Sequence, residues 1–142
     1  MGNSLAARVG VIFGAFYVAI GVLGFFVTGF EGFTQNGPDK LLGISVNPFH
    51  NLVHLGTGAF LLIMSLQKND AAAEGGIMGV GLFYVTAFVI GVVASNNLTI
   101  LSMYGEGELA NYFHLLSGVA LLGVGLISSG ATAAAAKRRG LA

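Results

Sequence analysis

The chain holds only three histidines, His50, His54 and His114, and they are its main candidates for chemistry. Two of them lie in the stretch Asn47-Pro48-Phe49-His50-Asn51-Leu52-Val53-His54. Asn47 is a good N-cap and Pro48 suits a first helical position, so a helix is predicted to start there. On that helix His50 and His54, four residues apart, share one face with Asn47, Asn51, Thr57 and Gly58. Three uses of such residues stand open. Histidines at i and i+4 match a two-ligand metal helix, with His114 as a third ligand and Glu106 or Glu108 as a nearby carboxylate for a transition metal. Alternatively, His54 and His114 can ligate a haem or chlorophyll axially, with Gly58 and Gly118 leaving room for a flat ring. The third use is structural: His54 and His114 hydrogen-bond to Asn51, Asn111, Thr57 or Ser117 and fix helix register. The helix lacks the glutamate of a zinc-protease signature, and no nucleophile stands beside a base, so binding without enzymatic turnover is expected. A proton relay would need a polar file across the whole membrane, and beyond the histidines the spans offer little more than Ser65 and Thr86.

The elements that position these residues follow from composition. Of 142 residues, 55% are hydrophobic and 8% charged, against roughly 25% charged in soluble domains. Residues 9–30, 41–67, 75–105 and 109–136 contain no Lys, Arg, Asp or Glu. Each run is long enough for a helix of about 20 residues to cross a bilayer. The expected fold is therefore all-α: one integral membrane domain over residues 1–142, a polytopic four-helix bundle with spans at about 8–28, 48–67, 77–95 and 110–129. The first run is longer than a signal-peptide core and reads as an uncleaved span. Residues 68–76 read as a short polar connection, making the second and third spans antiparallel neighbours, and residues 130–136 read as a small-residue tail. Gly10, Gly14, Gly21 and Gly24 suit close approach of a neighbouring helix. Tyr17 and Tyr84, near the middle of their spans, are expected to face inward, and Phe30 and Phe33 to anchor at the interface. The balanced charge leaves no basic patch for nucleic acid. Lipid, other membrane subunits or self-association remain as partners. Without cysteine, thiolate ligands and disulfides are excluded.

Orientation is expected from the positive charges. Arg8, Lys68, Lys137, Arg138 and Arg139 fall on one side of the four spans and Lys40 alone on the other, which puts both termini in the cytoplasm and the histidines in the outer leaflet. The chain also repeats itself. Gly14-Ala15-Phe16-Tyr17-Val18 matches Gly81-Leu82-Phe83-Tyr84-Val85, and Asn51-x-x-His54-Leu55-x-Thr57-Gly58 matches Asn111-x-x-His114-Leu115-x-Ser117-Gly118. Two similar helical hairpins related by an axis along the membrane normal are expected. On that axis His54 and His114 face each other at one depth with Asn51 and Asn111. His50, whose repeat counterpart is Ala110, is expected nearer the surface, hydrated and less important.

The stretch Asn47-Pro48-Phe49-His50-Asn51-Leu52-Val53-His54, together with Ala110-Asn111-Tyr112-Phe113-His114-Leu115, resembles an uncharacterised family of small four-span bacterial membrane proteins, a domain of unknown function marked by Asn-Pro-[Leu/Phe]-His-Asn-x-x-His. The resemblance covers nearly the whole chain and implies a multi-pass protein of the bacterial cytoplasmic membrane or another energy-transducing membrane. It carries no activity. The reading taken from the sequence is thus a non-enzymatic accessory or assembly subunit of a larger membrane complex with an outer-leaflet histidine site. The alternative is a metal- or tetrapyrrole-binding protein.

Overall fold

Four apolar helices account for most of the chain in the computed structural model, which describes residues 2–93, 99–102 and 108–140. They are α1 (Leu5–Thr28), α2 (Pro48–Leu66), α3 (Asp70–Val93) and α4 (Leu109–Arg138), each long and apolar enough to cross a membrane. Helix α1 starts where the Ser4 hydroxyl accepts the Ala7 N–H at 3.2 Å. Helix α2 starts where the Asn47 side chain accepts the His50 N–H at 2.8 Å, with Pro48 in the first turn.

Two boundaries differ from expectation. Helix α3 begins at Asp70, seven residues before the expected start, because the Asn69 side chain accepts the N–H groups of Ala71 and Ala72. Glu74, expected in a polar loop, is instead 6% exposed inside the bundle. Its Oε1 accepts the Ser128 and Thr132 hydroxyls at 3.0 and 2.8 Å, which makes a helical Glu tolerable there. The expected tail 130–136 continues α4 as an alanine-rich helix to Arg138. The expected end of the third span at 95, most of the connection after it, and Met103 and Glu106 within that connection, lie outside the described residues.

The loop after α1 adds a small element that the all-α reading lacks. Strands β1 (Lys40–Leu41) and β2 (Ile44–Ser45) pair antiparallel around Leu42 and Gly43, at φ 53° and 84°. A two-residue hairpin demands positive φ at both central positions. Gly43 meets this without strain, whereas Leu42 holds a backbone that L side chains avoid.

Helix α1 packs chiefly on α2, and α3 on α4. The two pairs cross in the same way. A Cβ placed on Gly14 would stand 2.9 Å from the Gly58 carbonyl oxygen and 3.0 Å from the Leu62 nitrogen. One placed on Gly81 would stand 3.0 Å from the Gly118 carbonyl oxygen and 2.9 Å from the Leu122 nitrogen. Backbones this close gain dispersion contacts that lipid cannot supply. Both diagonals of the bundle matter for the site. Helices α1 and α3 touch along the short diagonal, whereas no Cα of α2 comes within 8 Å of one in α4. Side chains must fill that long diagonal.

Toward the end of the bundle that carries both termini, Leu61, Ile77, Val80 and Leu121 form an apolar core with Ala6, Ala7 and Ala73, and the Glu74–Ser128–Thr132 group lies at that same end. At the opposite, loop-bearing end the histidines fill the diagonal. The outer surface shows Phe26, Ile63, Leu82, Leu116 and Val119, a lipid-facing belt. Phe30 and Phe33 are exposed beside it, as an interfacial anchor requires.

Candidate functional site: three buried histidines

All three histidines are buried, and one ligand nitrogen from each lies within 4.8 Å of the others. The rings of His50 and His54 are 4.5 Å apart between centroids and those of His50 and His114 5.9 Å, so His50 stands between the other two. This overturns the expectation of a hydrated, peripheral His50. Its side chain is 2% exposed and lies against the backbones of Ser45 and Leu101. The turn that roofs the end of the bundle thus presses His50 inward. Ala110, its counterpart in the repeat, lines the same cavity. A methyl group there leaves the volume that the third imidazole fills.

The Nδ1 atoms of His50, His54 and His114 are all buried without a hydrogen-bond partner. An unpaired buried polar atom costs about 1–3 kcal/mol, and three in one place call for an explanation. The structural use foreseen from sequence pairs these rings with asparagines and hydroxyls, and of those side chains Asn51 and Thr57 go elsewhere. Asn51 donates to the Thr28 hydroxyl at 3.0 Å and packs on Gly24 of α1. Thr57 reaches the Val53 carbonyl at 2.9 Å and the Tyr84 hydroxyl at 3.2 Å, so Tyr84 is the donor when Thr57 serves Val53. Asn111 is buried and engaged, at the position on α4 that matches Asn51 on α2. Asn51 is therefore a helix-packing group, holding α2 against α1. Glu108 is not brought to the histidines either: its Oε1 accepts the Ser45 N–H at 3.2 Å, tying α4 to the β-hairpin. Glu106 lies outside the described residues.

The floor of the site was half legible. Tyr17 and Tyr84 face inward as expected and stack with centroids 4.9 Å apart and planes 13° from parallel. Each carries a histidine on its flank: Tyr17 lies 5.8 Å from His54, and Tyr84 5.4 Å from His114. Their hydroxyls differ. Tyr84 is engaged by Thr57, while the buried Tyr17 hydroxyl, beside Ser117 and Tyr84, has hydrogen-bond geometry to neither. The sequence points to Ser117 only as a partner for histidine, and the residues of the β-hairpin at the site carry no sequence signal. A cavity of about 100 Å³ lies against the cluster, lined by His50, His54 and His114 together with Tyr17, Ser117 and apolar side chains.

The fold and the site define the class: a multi-pass, all-α membrane protein with a buried polar centre near one end of the bundle. The chain belongs to a family described as a domain of unknown function, DUF4383, whose model matches residues 8–127. No curated protein matches it. No solved structure matches it.

Proposed function

We propose that this protein is a membrane-embedded metal-binding protein that holds one transition-metal ion on His50, His54 and His114. The observation that carries the reading is the convergence of three buried imidazoles, each with an unpartnered Nδ1, on one point. Zinc–nitrogen bonds of about 2.0–2.1 Å put two ligand nitrogens roughly 3.3 Å apart in a tetrahedral site. The present spacing of up to 4.8 Å has to close by about 1.5 Å to reach that value. Neutral imidazoles suit zinc, copper, nickel or cobalt, and three of them leave a coordination position open.

The cavity favours an ion over a haem or chlorophyll. Its volume is about 100 Å³, whereas a drug-sized ligand already takes roughly 300 Å³ or more. Of the two readings taken from the sequence, metal binding has the geometric support, and an accessory role in a larger complex is compatible with it. The positive-charge bias supports cytoplasmic termini, in a bacterial cytoplasmic membrane or another energy-transducing membrane, which puts the ion in the outer half of the bilayer.

Metal analysis of protein purified in mild detergent after exposure to zinc, copper and cobalt tests the reading. One equivalent per chain is expected, and cobalt should give the intense visible bands of a tetrahedral nitrogen site. Folded protein that retains less than a tenth of an equivalent of every metal would overturn it.

A further inference from the structure

Resting on the metal reading, we infer that the open coordination position is reached from the lipid phase, through an apolar crevice between α1 and α4, by a small uncharged molecule bearing a hydrogen-bond-accepting atom. The other routes to the histidines are closed among the described residues. From the end carrying the termini, the Tyr17–Tyr84 stack and the Leu61, Ile77 and Leu121 layer stand in the way. From the loop end, Ser45, Val46, Asn47 and Ser102 are all buried over the site, and the backbones of Ser45 and Leu101 lie on the His50 ring.

The remaining side is the seam between α1 and α4. These two helices are joined near the termini, where the Ala6 N–H donates to the Ser128 hydroxyl at 3.2 Å. At the histidine end the cavity lies between them. Its exposed lining residues are Phe16 of α1 and Phe113 of α4, on the apolar outer surface of the helices, with Leu42 of the hairpin turn beside them. An ion or a strongly hydrated molecule would lose its water in such a passage at a large cost, which three imidazoles repay for the metal ion alone, so the passage favours an uncharged visitor. The cavity volume of about 100 Å³ admits a small molecule and not a drug-sized one, which takes roughly 300 Å³ or more. The Tyr17 hydroxyl, buried, unpartnered and lining the cavity, is placed to donate to an acceptor atom of that molecule.

The test uses cobalt-loaded full-length protein in lipid nanodiscs, with nitric oxide as the uncharged membrane-soluble probe and azide as the charged aqueous one. Nitric oxide should change the cobalt visible spectrum, and azide at equal concentration should not. Tyr17→Phe, which keeps the ring and removes the hydroxyl, should weaken nitric oxide binding about tenfold at unchanged cobalt content, the worth of one hydrogen bond. Ser117→Phe, which fills the crevice, should slow binding at least tenfold; should that variant not hold cobalt, the two-probe contrast and Tyr17→Phe still decide. Azide acting as readily as nitric oxide would show access from water and overturn the inference. So would a spectrum indifferent to both probes, or a Tyr17→Phe protein that binds nitric oxide like the wild type. Cobalt content is measured first and separately: a protein that takes up no cobalt refutes the metal site itself, and the inference falls with it.

Discussion

The Tyr17 and Tyr84 rings lie face to face at 4.9 Å, one from α1 and one from α3, with a histidine against the outer side of each. This stack sets the short diagonal of the bundle. It holds α1 and α3 together at the level where α2 and α4 stand apart, so the imidazoles from α2 and α4 sit over an aromatic floor. Filling the long diagonal with polar rings has a stability consequence that differs with and without metal.

Replacing His54 with Leu in metal-free protein removes a buried Nδ1 that has no partner. Its stability should rise by about 1 kcal/mol, the low end of the cost of the unpaired atom that is removed, because ring contacts are lost with it. With metal present the same variant should be clearly less stable than the wild type, because an ion at 100 times its Kd contributes about 2.7 kcal/mol. His50→Leu and His114→Leu should behave alike, and acidification should release the ion, as protons compete for the ligand nitrogens. Melting temperatures in one detergent, with and without zinc, check all three variants. A His50 variant that retains the full zinc shift would remove it from the ligand set.

The glycines divide into two groups. Gly58→Ala and Gly118→Ala would bring a methyl to 2.6 Å from the Val18 nitrogen and 2.8 Å from the Val85 nitrogen respectively, and each should destabilise by about 1–3 kcal/mol as an overpacked site. Gly56, Gly79 and Gly123 face open space. Ala there should be neutral or stabilise by up to about 1 kcal/mol through helix propensity. Thermal unfolding of the five single variants measures the contrast.

Glu74→Leu leaves the Ser128 and Thr132 hydroxyls without their common acceptor. A loss of about 1–3 kcal/mol is expected, and Glu74→Gln, which keeps an acceptor oxygen, should lose less. Because these groups sit at the other end of the bundle from the histidines, metal stoichiometry should stay at the wild-type value in both variants. Denaturation midpoints together with metal content read out the two effects separately.

Orientation can be read with reporter fusions at Gln35 and at Ala142. The Ala142 fusion should report a cytoplasmic location and the Gln35 fusion an external one, as the distribution of Lys and Arg requires. A cytoplasmic Gln35 would place the histidines in the inner leaflet.

Spans were legible in the sequence because charge-free runs leave few alternatives to a membrane helix. The start of α3 was not, since Asp70 and Glu74 look like loop residues until Ser128 and Thr132, more than fifty positions away, are seen to receive the carboxylate. Within the site, the shared helical face of His50 and His54 followed directly from their spacing. The importance of His50 did not, because the repeat drew attention to positions with a counterpart. The missing counterpart was the informative feature: Ala110 and His50 line one cavity, and an asymmetric pair accommodates three imidazoles where a symmetric pair would have supplied two or four. The roof of Ser45 and Leu101 over His50 depends on loop conformation, which no helical periodicity encodes.

Helix α2 has 19 residues and α4 has 30, or about 28 Å against about 45 Å at 1.5 Å per residue. A hydrocarbon layer of roughly 30 Å matches the first and leaves some 15 Å of the second outside. That overhang is alanine-rich and ends on Lys137 and Arg138, within reach of lipid phosphates. The long helix thus works as a depth gauge. Its charged end resists being drawn into the bilayer, so His114 at the far end of the same helix, with His50 and His54 of α2 beside it, is held at one distance from the opposite surface.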